Sequence, residues 1–262
     1  MWTIFVNHST IKEIPLRQIS NGSAVSWKIA MWGTHRDNKL LGKISMYNPS
    51  LDKYLSDRNI HISEGSQLRD LPEFETQEQE RAFHKEHEYY PTLVGKDEID
   101  QKILKAALSK HKKIALQFPP EATTKIGKDR AYLRKRGGKA GLTVSEPVHI
   151  ITSASRSYAL YSDNYLFVSP RQVGISGANQ SDLLKALTLY LNSDFSRYQQ
   201  WLTSASLGVE RDCVNLNSLK QIPVPFEHFS NEDYSELAHL FDKIVEAEKR
   251  ERESQEIKDQ LF

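Results

Sequence analysis

From Ser181 onward, apolar residues recur three and four apart: Leu183, Leu187, Leu191, Phe195, Tyr198 and Leu202 mark one stripe. Asn192-Ser193 interrupts the stripe and predicts the cap of a second helix. The strip "IPVPF" (222–226) follows. The pattern then resumes over 230–260, with Leu237, Leu240, Phe241, Ile244 and Val245 on one side and Ser230 or Asn231 as the expected cap. Beyond Ala247 this last helix is almost purely charged.

Upstream the periods are mixed. "WTIFV" (2–6) and "VSWKIAMW" (25–32) are short, β-branched and aromatic, and read as strands. Residues 34–46 predict a helix with Thr34 as N-cap and Asp37 at the third helical position. Leu40, Leu41 and Ile44 share its face. Pro49 begins a shorter helix carrying Leu51, Tyr54 and Leu55. Residues 64–90 are acidic and fit an exposed helix or a loop. Ile99, Ile103, Leu104, Ala107 and Leu108 predict a helix over 96–112. "KIALQF" (113–118) predicts a strand that ends at two prolines. "VHIIT" (148–152) reads as a strand, and residues 157–169 as a hairpin turning at Ser162-Asp163-Asn164. Strands first and helices last predict an α+β fold: a mixed or antiparallel sheet followed by a C-terminal helical part.

Composition narrows the class. Of 262 residues, 39% are apolar, enough for a real core. No apolar run approaches the ~20 residues that span a bilayer, so no membrane partner is expected. The start has no basic region before its apolar run, which argues against a signal peptide. The single cysteine, Cys213, cannot form an internal disulfide, and a cytoplasmic location is expected. A net charge of +1 hides segregation: residues 64–100 carry −7, whereas 101–171 carry +10. Such a basic segment focuses a field on a polyanion even in a near-neutral protein.

Catalytic and metal motifs are weak. His84 and His87 would share a helix face, but one cysteine and no second pair make a zinc site a poor reading. Acid-x-Lys triplets occur at Asp37–Lys39, Asp100–Lys102 and Glu256–Lys258, about as often as chance gives in so charged a chain. There is no phosphate-binding G-x-x-x-x-G-K-[ST], no G-x-G-x-x-G after a strand and no G-x-S-x-G. "FPPEA" (118–122) has Phe118 where an amino-methyltransferase motif needs a polar acceptor. No catalytic residue and no metal site are assigned.

The sharper signal is "TTKIGKDRAYLRKRGGKAGLT" (123–143). Lys125, Lys128, Arg130, Arg134, Lys135, Arg136 and Lys139 stand against one acid, Asp129, with Tyr132 interleaved and glycines that let a partner approach. Such cations bind phosphates or reach guanine edges in a major groove. Arg156 and Arg171 flank the expected hairpin and extend the same candidate DNA-binding set.

Two stretches carry a family resemblance. "WKIAMWGTHRDNKLLGKI" (27–44) resembles the segment after the catalytic domain in N6-adenine DNA methyltransferases of restriction–modification systems, of the type IIG or type I-like kind. "LLKALTLYLNSDFSRYQQWLTSASLGVERDCVNLNSLKQIPVPF" (183–226) resembles the end of their C-terminal target-recognition region, and "KKIALQFP" (112–119) resembles the strand opening its central part. Together these cover roughly a quarter of the chain.

The resemblance implies a recognition part without the catalytic part, because the family's cofactor and catalytic motifs lie upstream of the Trp27 segment and only 26 residues precede it here. No cofactor is therefore expected in this chain, and S-adenosylmethionine is expected only in a catalytic partner or a missing domain. The implied organisation is a strand-helix connector at 1–63, a target-recognition domain at 64–230 and a C-terminal helix at 231–262. The implied partners are double-stranded DNA and a methyltransferase or restriction subunit. The alternative reading is a protein-interaction or specificity subunit that docks on such a partner, favoured by the acidic 64–100 segment and the charged last helix.

Overall fold

A computed structural model describes residues 24–70, 72–86, 102–104, 116–117, 123–125, 131–133, 138–153, 155, 158–204, 207 and 214–260. Three helices come first: α1 (Ala24–Trp32), α2 (His35–Tyr47) and α3 (Leu51–Ser56). Thr34 and Asp37 cap α2 reciprocally, as the sequence predicts, and Ser50 caps α3 by accepting from the Lys53 amide. The strand expected at 25–32 is the helix α1. A run this short, apolar but for Ser26 and Lys28, does not distinguish the two states by period. Here Lys28, Ile29 and Trp32 share one helical face, and that face meets a later helix, which decides the matter.

Four strands form the main sheet in the order β1–β8–β6–β7: β1 (His61–Glu64), β6 (His149–Thr152), β7 (Ala159–Ser162) and β8 (Val173–Ser176). Every neighbouring pair is antiparallel. With the helices that follow, this is the α+β architecture expected. Alternate residues face opposite ways. Ile150, Tyr161, Val173 and Ile175 join the main core beneath the helices, while Ile151 joins Val144, Leu166 and Val168 on the other face.

Residues 163–172 therefore do not return as the second arm of a hairpin. Ser162 and Asn164 make the expected turn through the Ser162 hydroxyl, but the chain then lies over the sheet face. The partner of β7 is β6, on its upstream side. Beside β7, Tyr161 donates its amide to the Leu116 carbonyl at 2.8 Å and Gln117 forms a parallel bridge with Tyr161; the rest of the strand expected over 113–118 lies outside the described residues.

Two small ribbons stand outside the sheet. In one, β2 (Leu68–Asp70) pairs with β5 (Ala131–Leu133); in the other, β3 (Lys102–Leu104) pairs with β4 (Thr123–Lys125). The helix expected over 96–112 is thus a strand at 102–104. Long-range ladder bonds override a local 3.6-residue period there. Gln77–Glu86 forms α4 in the acidic stretch, and Gly138–Thr143 forms the short α5.

The C-terminal part is helical: α6 (Ser181–Asn192), α7 (Asp194–Thr203), α8 (Leu216–Lys220) and α9 (Asn231–Gln260). Ser193 ends α6 and caps α7 by accepting from the Ser196 amide. Ser230 and Asp233 cap α9 reciprocally. Leu184, Leu187, Leu191, Phe241 and Val245 from α6 and α9 meet Leu51, Tyr54 and Leu55 of α3 in one core.

The Pro-x-Pro strip closes that core. Pro223 bridges Ser50, the Leu51 amide donates to the Ile222 carbonyl at 2.8 Å, and the Val224 amide donates to the Pro49 carbonyl at 2.9 Å. Tyr190 donates its hydroxyl to the Pro223 carbonyl, and Tyr234 donates to the Phe226 carbonyl at 3.1 Å. Tyr54 in turn donates to Tyr234 at 2.6 Å, since the Tyr234 proton is already used. Prolines lack an amide proton, so Pro223 and Pro225 donate nothing to a ladder. The buried strip is still tied on its acceptor side: Tyr190 satisfies the Pro223 carbonyl, and Tyr234 joins the Phe229 amide on the Phe226 carbonyl.

Candidate nucleic-acid interface

The basic segment is held at three places. Lys125 lies on β4, in register with Lys102 on β3. Tyr132 lies on β5, in register with Arg69 on β2. Lys139 lies in α5, which packs along β1. Lys128, Arg130, Arg134, Lys135, Arg136 and Arg156 fall outside the described residues. By sequence, the first two join β4 to β5 and the next three join β5 to α5.

The link between β1 and β2, Gly65-Ser66-Gln67, is the hinge of this region. A side-chain carbon on Gly141 of α5 would lie 1.9 Å from the Ser66 hydroxyl oxygen. One on Gly65 would lie 2.2 Å from the carbonyl oxygens of Val168 and Ser169. Both positions tolerate only glycine, because three backbones meet there. The Ser66 amide donates to the Val168 carbonyl, and the Gly65 amide to the Gln172 carbonyl, each at 3.1 Å. Ser145 completes the joint: its buried hydroxyl donates to the Gly141 carbonyl at 2.8 Å and accepts from the Val168 amide at 3.0 Å. The structure thus brings α5, which carries Lys139, and the 168–172 turn against the same short link, from which β2 leads to the β5 portion of the basic segment.

Arg171 sits at the tip of that turn. Its φ is 73°, in the left-handed region. The turn is locked on both sides of it: the Gln172 amide donates to the Ser169 carbonyl at 3.2 Å, and the Ser169 amide donates to the Gln172 side-chain oxygen at 3.0 Å. Arg171 is exposed and has no carboxylate partner among the described residues. A fixed backbone presenting an unpaired guanidinium is suited to a phosphate or a planar acceptor pair.

Below the turn, His149 is fully buried. Its Nδ1 lies 2.9 Å from the Val144 carbonyl and its Nε2 lies 3.0 Å from the Asn164 carbonyl. Burial lowers its pKa, against a smaller opposing pull from the two carbonyls and Asp163. A neutral ring has one proton for two acceptors. The histidine ties the end of α5 to the turn after β7. Sequence reading missed it because an isolated histidine in a β-branched run gives no local signal.

A second feature joins the two stretches that carry the family resemblance. Tyr198 of α7 donates its hydroxyl to the Asp37 carboxylate, whose other oxygen caps α2. Burial and that carboxylate push the Tyr198 phenol up to about 12. Lys28 of α1 donates to the Trp201 carbonyl at 2.6 Å and to the Leu207 carbonyl, and burial lowers its pKa. Trp32 lies 5.9 Å from Trp201, ring to ring. Residues around 28–37 and 198–207, far apart in sequence, form one unit.

Among the described residues, no three of His, Cys, Asp and Glu form a group able to hold a metal. No described helix is long and apolar enough to cross a membrane. No protein-family model matches the chain, and no curated protein matches it.

Proposed function

We propose that this chain is the DNA sequence-recognition module of a restriction–modification N6-adenine methyltransferase, working in the cytoplasm. The observation that supports the reading is the packing of the two resembling stretches on each other through Asp37–Tyr198 and Lys28–Trp201. That contact gives their order in the sequence a physical sense: the connector and the end of the recognition region make one rigid support.

In this reading the support carries the basic segment from Lys125 to Lys139, together with Arg171, as the DNA-facing part. Lysines and arginines there neutralise phosphates and release counterions, which supplies affinity. Base-edge contacts from the same arginines supply sequence preference. S-adenosylmethionine and the transfer step belong to a separate catalytic chain or domain.

Fluorescence anisotropy with random-sequence duplex DNA across a salt series tests this. The expected result is a negative slope of log affinity against log salt, steep enough to show several neutralised phosphates. Replacing Arg134, Lys135 and Arg136 together with alanine is expected to reduce the slope by roughly 2–3, at ~0.9 per phosphate. Absence of duplex binding even near about 50 mM salt overturns the reading for this chain.

A further inference from the structure

Helix α2 turns one face to the body and another away from it. Leu41 is buried with Ile29 and Leu202, and the Asp37 carboxylate takes the Tyr198 hydroxyl. At 3.6 residues per turn, the side opposite those two is an arc of about 120° that holds Arg36, Lys39, Leu40, Lys43, Met46 and Tyr47. All six are exposed. Leu40, expected beside Leu41 on the inner face, is 43% exposed; Met46 is 77% and Tyr47 68% exposed. Asp37 is the one acid in this helix, so the outer arc carries none.

Two features set this arc apart. The first is charge of a single sign. Arg36, Lys39 and Lys43 stand three and four residues apart, so each has another cation as its neighbour on the helix surface. Like charges at that spacing oppose the helix, and Arg36 in the first turn also opposes the helix dipole. Among the described residues, none of the three has a carboxylate partner. Helix α9 shows the ordinary arrangement, with both signs interspersed and Arg250 set against Glu246. The second feature is the company the cations keep. Large apolar and aromatic side chains at the centre with charges at the rim are the make-up of a protein interface.

The same features choose the occupant. A duplex offers phosphates for the cations, but its backbone has nothing for Leu40, Met46 and Tyr47. A lipid surface takes helices whose apolar and basic faces are separate. Here Lys39 and Lys43 lie between Met46 and Tyr47 around the helix, so inserting the apolar side chains would drag the lysines in with them. A protein surface can place an apolar patch and carboxylates side by side, and opposite charge then steers and orients the encounter.

We infer that the outer face of α2 docks a partner protein whose matching surface sets carboxylates around an apolar patch. The carboxylates pair with Arg36, Lys39 and Lys43, and the patch covers Leu40, Met46 and Tyr47. This inference does not rest on the DNA reading and survives its failure.

A phage-displayed library of random peptides, panned on the intact chain, supplies the probe. The variant Arg36→Glu, Lys39→Glu, Lys43→Glu is the control. The enriched peptide is then synthesised and its binding measured by anisotropy. Expected are peptides that combine Asp or Glu with large apolar residues. Their affinity should fall roughly tenfold or more on the triple charge reversal, because like charges then face each other. It should fall several-fold with Met46→Ser plus Tyr47→Ser, and stay unchanged when Arg134, Lys135 and Arg136 become alanine. Every changed side chain on α2 is exposed, so thermal midpoints should stay near that of the wild type. Neutralising the same three cations with glutamine checks the result should the reversal disturb the helix. Failure to enrich peptides over the control overturns the proposal. So does enrichment of acidic peptides without apolar residues that bind the Met46→Ser, Tyr47→Ser variant as well as wild type, since that is ion pairing alone. If the reversal weakens duplex DNA as much as it weakens the peptide, the face belongs to nucleic acid and the proposal falls. It falls equally if the reversal abolishes binding to phosphatidylserine vesicles, or abolishes a dimer seen by sedimentation, which give the face to a lipid surface or to a second copy of the chain.

Discussion

The main sheet with its helices and the two outlying ribbons differ in what holds each together. In the first, β6, β7 and β8 are buried along their whole length, and α3, α6 and α9 cover one face with a single apolar cluster. A fully buried side chain there is worth about 1.5–3 kcal/mol. The ribbons pair only three residues per strand. A two-stranded ladder of that length is marginal without a third strand or a covering helix. The body can therefore be rigid while the ribbons, which carry part of the basic segment, rely on their attachments. The joint at Gly65, Ser66 and Gly141 is one such attachment, where backbones meet too closely for any side chain on either glycine.

The largest effect is expected in the body. Phe241→Ala removes a fully buried ring that meets Tyr161 edge-on at 5.4 Å. A loss of ~3–5 kcal/mol is expected in urea unfolding. A much smaller loss would mean that the body is not the stabilising half. Gly65→Ala comes next. Its new methyl collides with two backbone carbonyls, which cannot swing aside as a side chain does. A cost of roughly 1–3 kcal/mol is expected, and hydrogen exchange should quicken first around residues 65–70. Uniform quickening across the sheet would deny the joint its local role.

A smaller effect follows from His149. Its folded-state pKa lies below the ordinary 6.5 because of burial. The unfolded chain then binds a proton that the folded chain refuses. The stabilisation is full above about pH 6.5 and drains away as pH falls from there through the lowered folded value. Thermal unfolding across that window should show a falling midpoint, flattened in His149→Gln. An unchanged pH profile in the variant would remove His149 from the account. The smallest effect is at Arg171. Glycine accepts its left-handed backbone freely, so Arg171→Gly should gain no more than about 1 kcal/mol of stability. In the DNA reading it also lowers the salt slope by about 0.9. Gain without any loss of binding would leave Arg171 outside the interface.

Much of the fold is legible from local pattern where caps and periods agree. Thr34 with Asp37, Ser193 and Ser230 each sit next to an apolar stripe, and each begins a helix as read. The misread elements share a cause. Residues 25–32 are apolar but for Ser26 and Lys28, too short a run for its period to decide. Residues 102–104 have a helical period, but their ladder partner lies at 123–125. Residues 163–172 have the turn of a hairpin, but their apolar side chains are wanted on the sheet's far face. The candidate interface divides in the same way. The cations are plain from composition, whereas the turn that fixes Arg171 and the carbonyl pair around His149 have no local signature.

By itself, then, the sequence determined the helical stripes, their caps and the placing of +10 charge in one stretch. These depend on neighbours within a few residues, where spacing and chemistry suffice. Only the tertiary structure decided which strand pairs with which, that α1 is a helix packed on α7 and that Asp37 reaches Tyr198. Each of those is a contact between residues far apart in the chain. Its free energy comes from burial and hydrogen bonds that exist only after the segments meet.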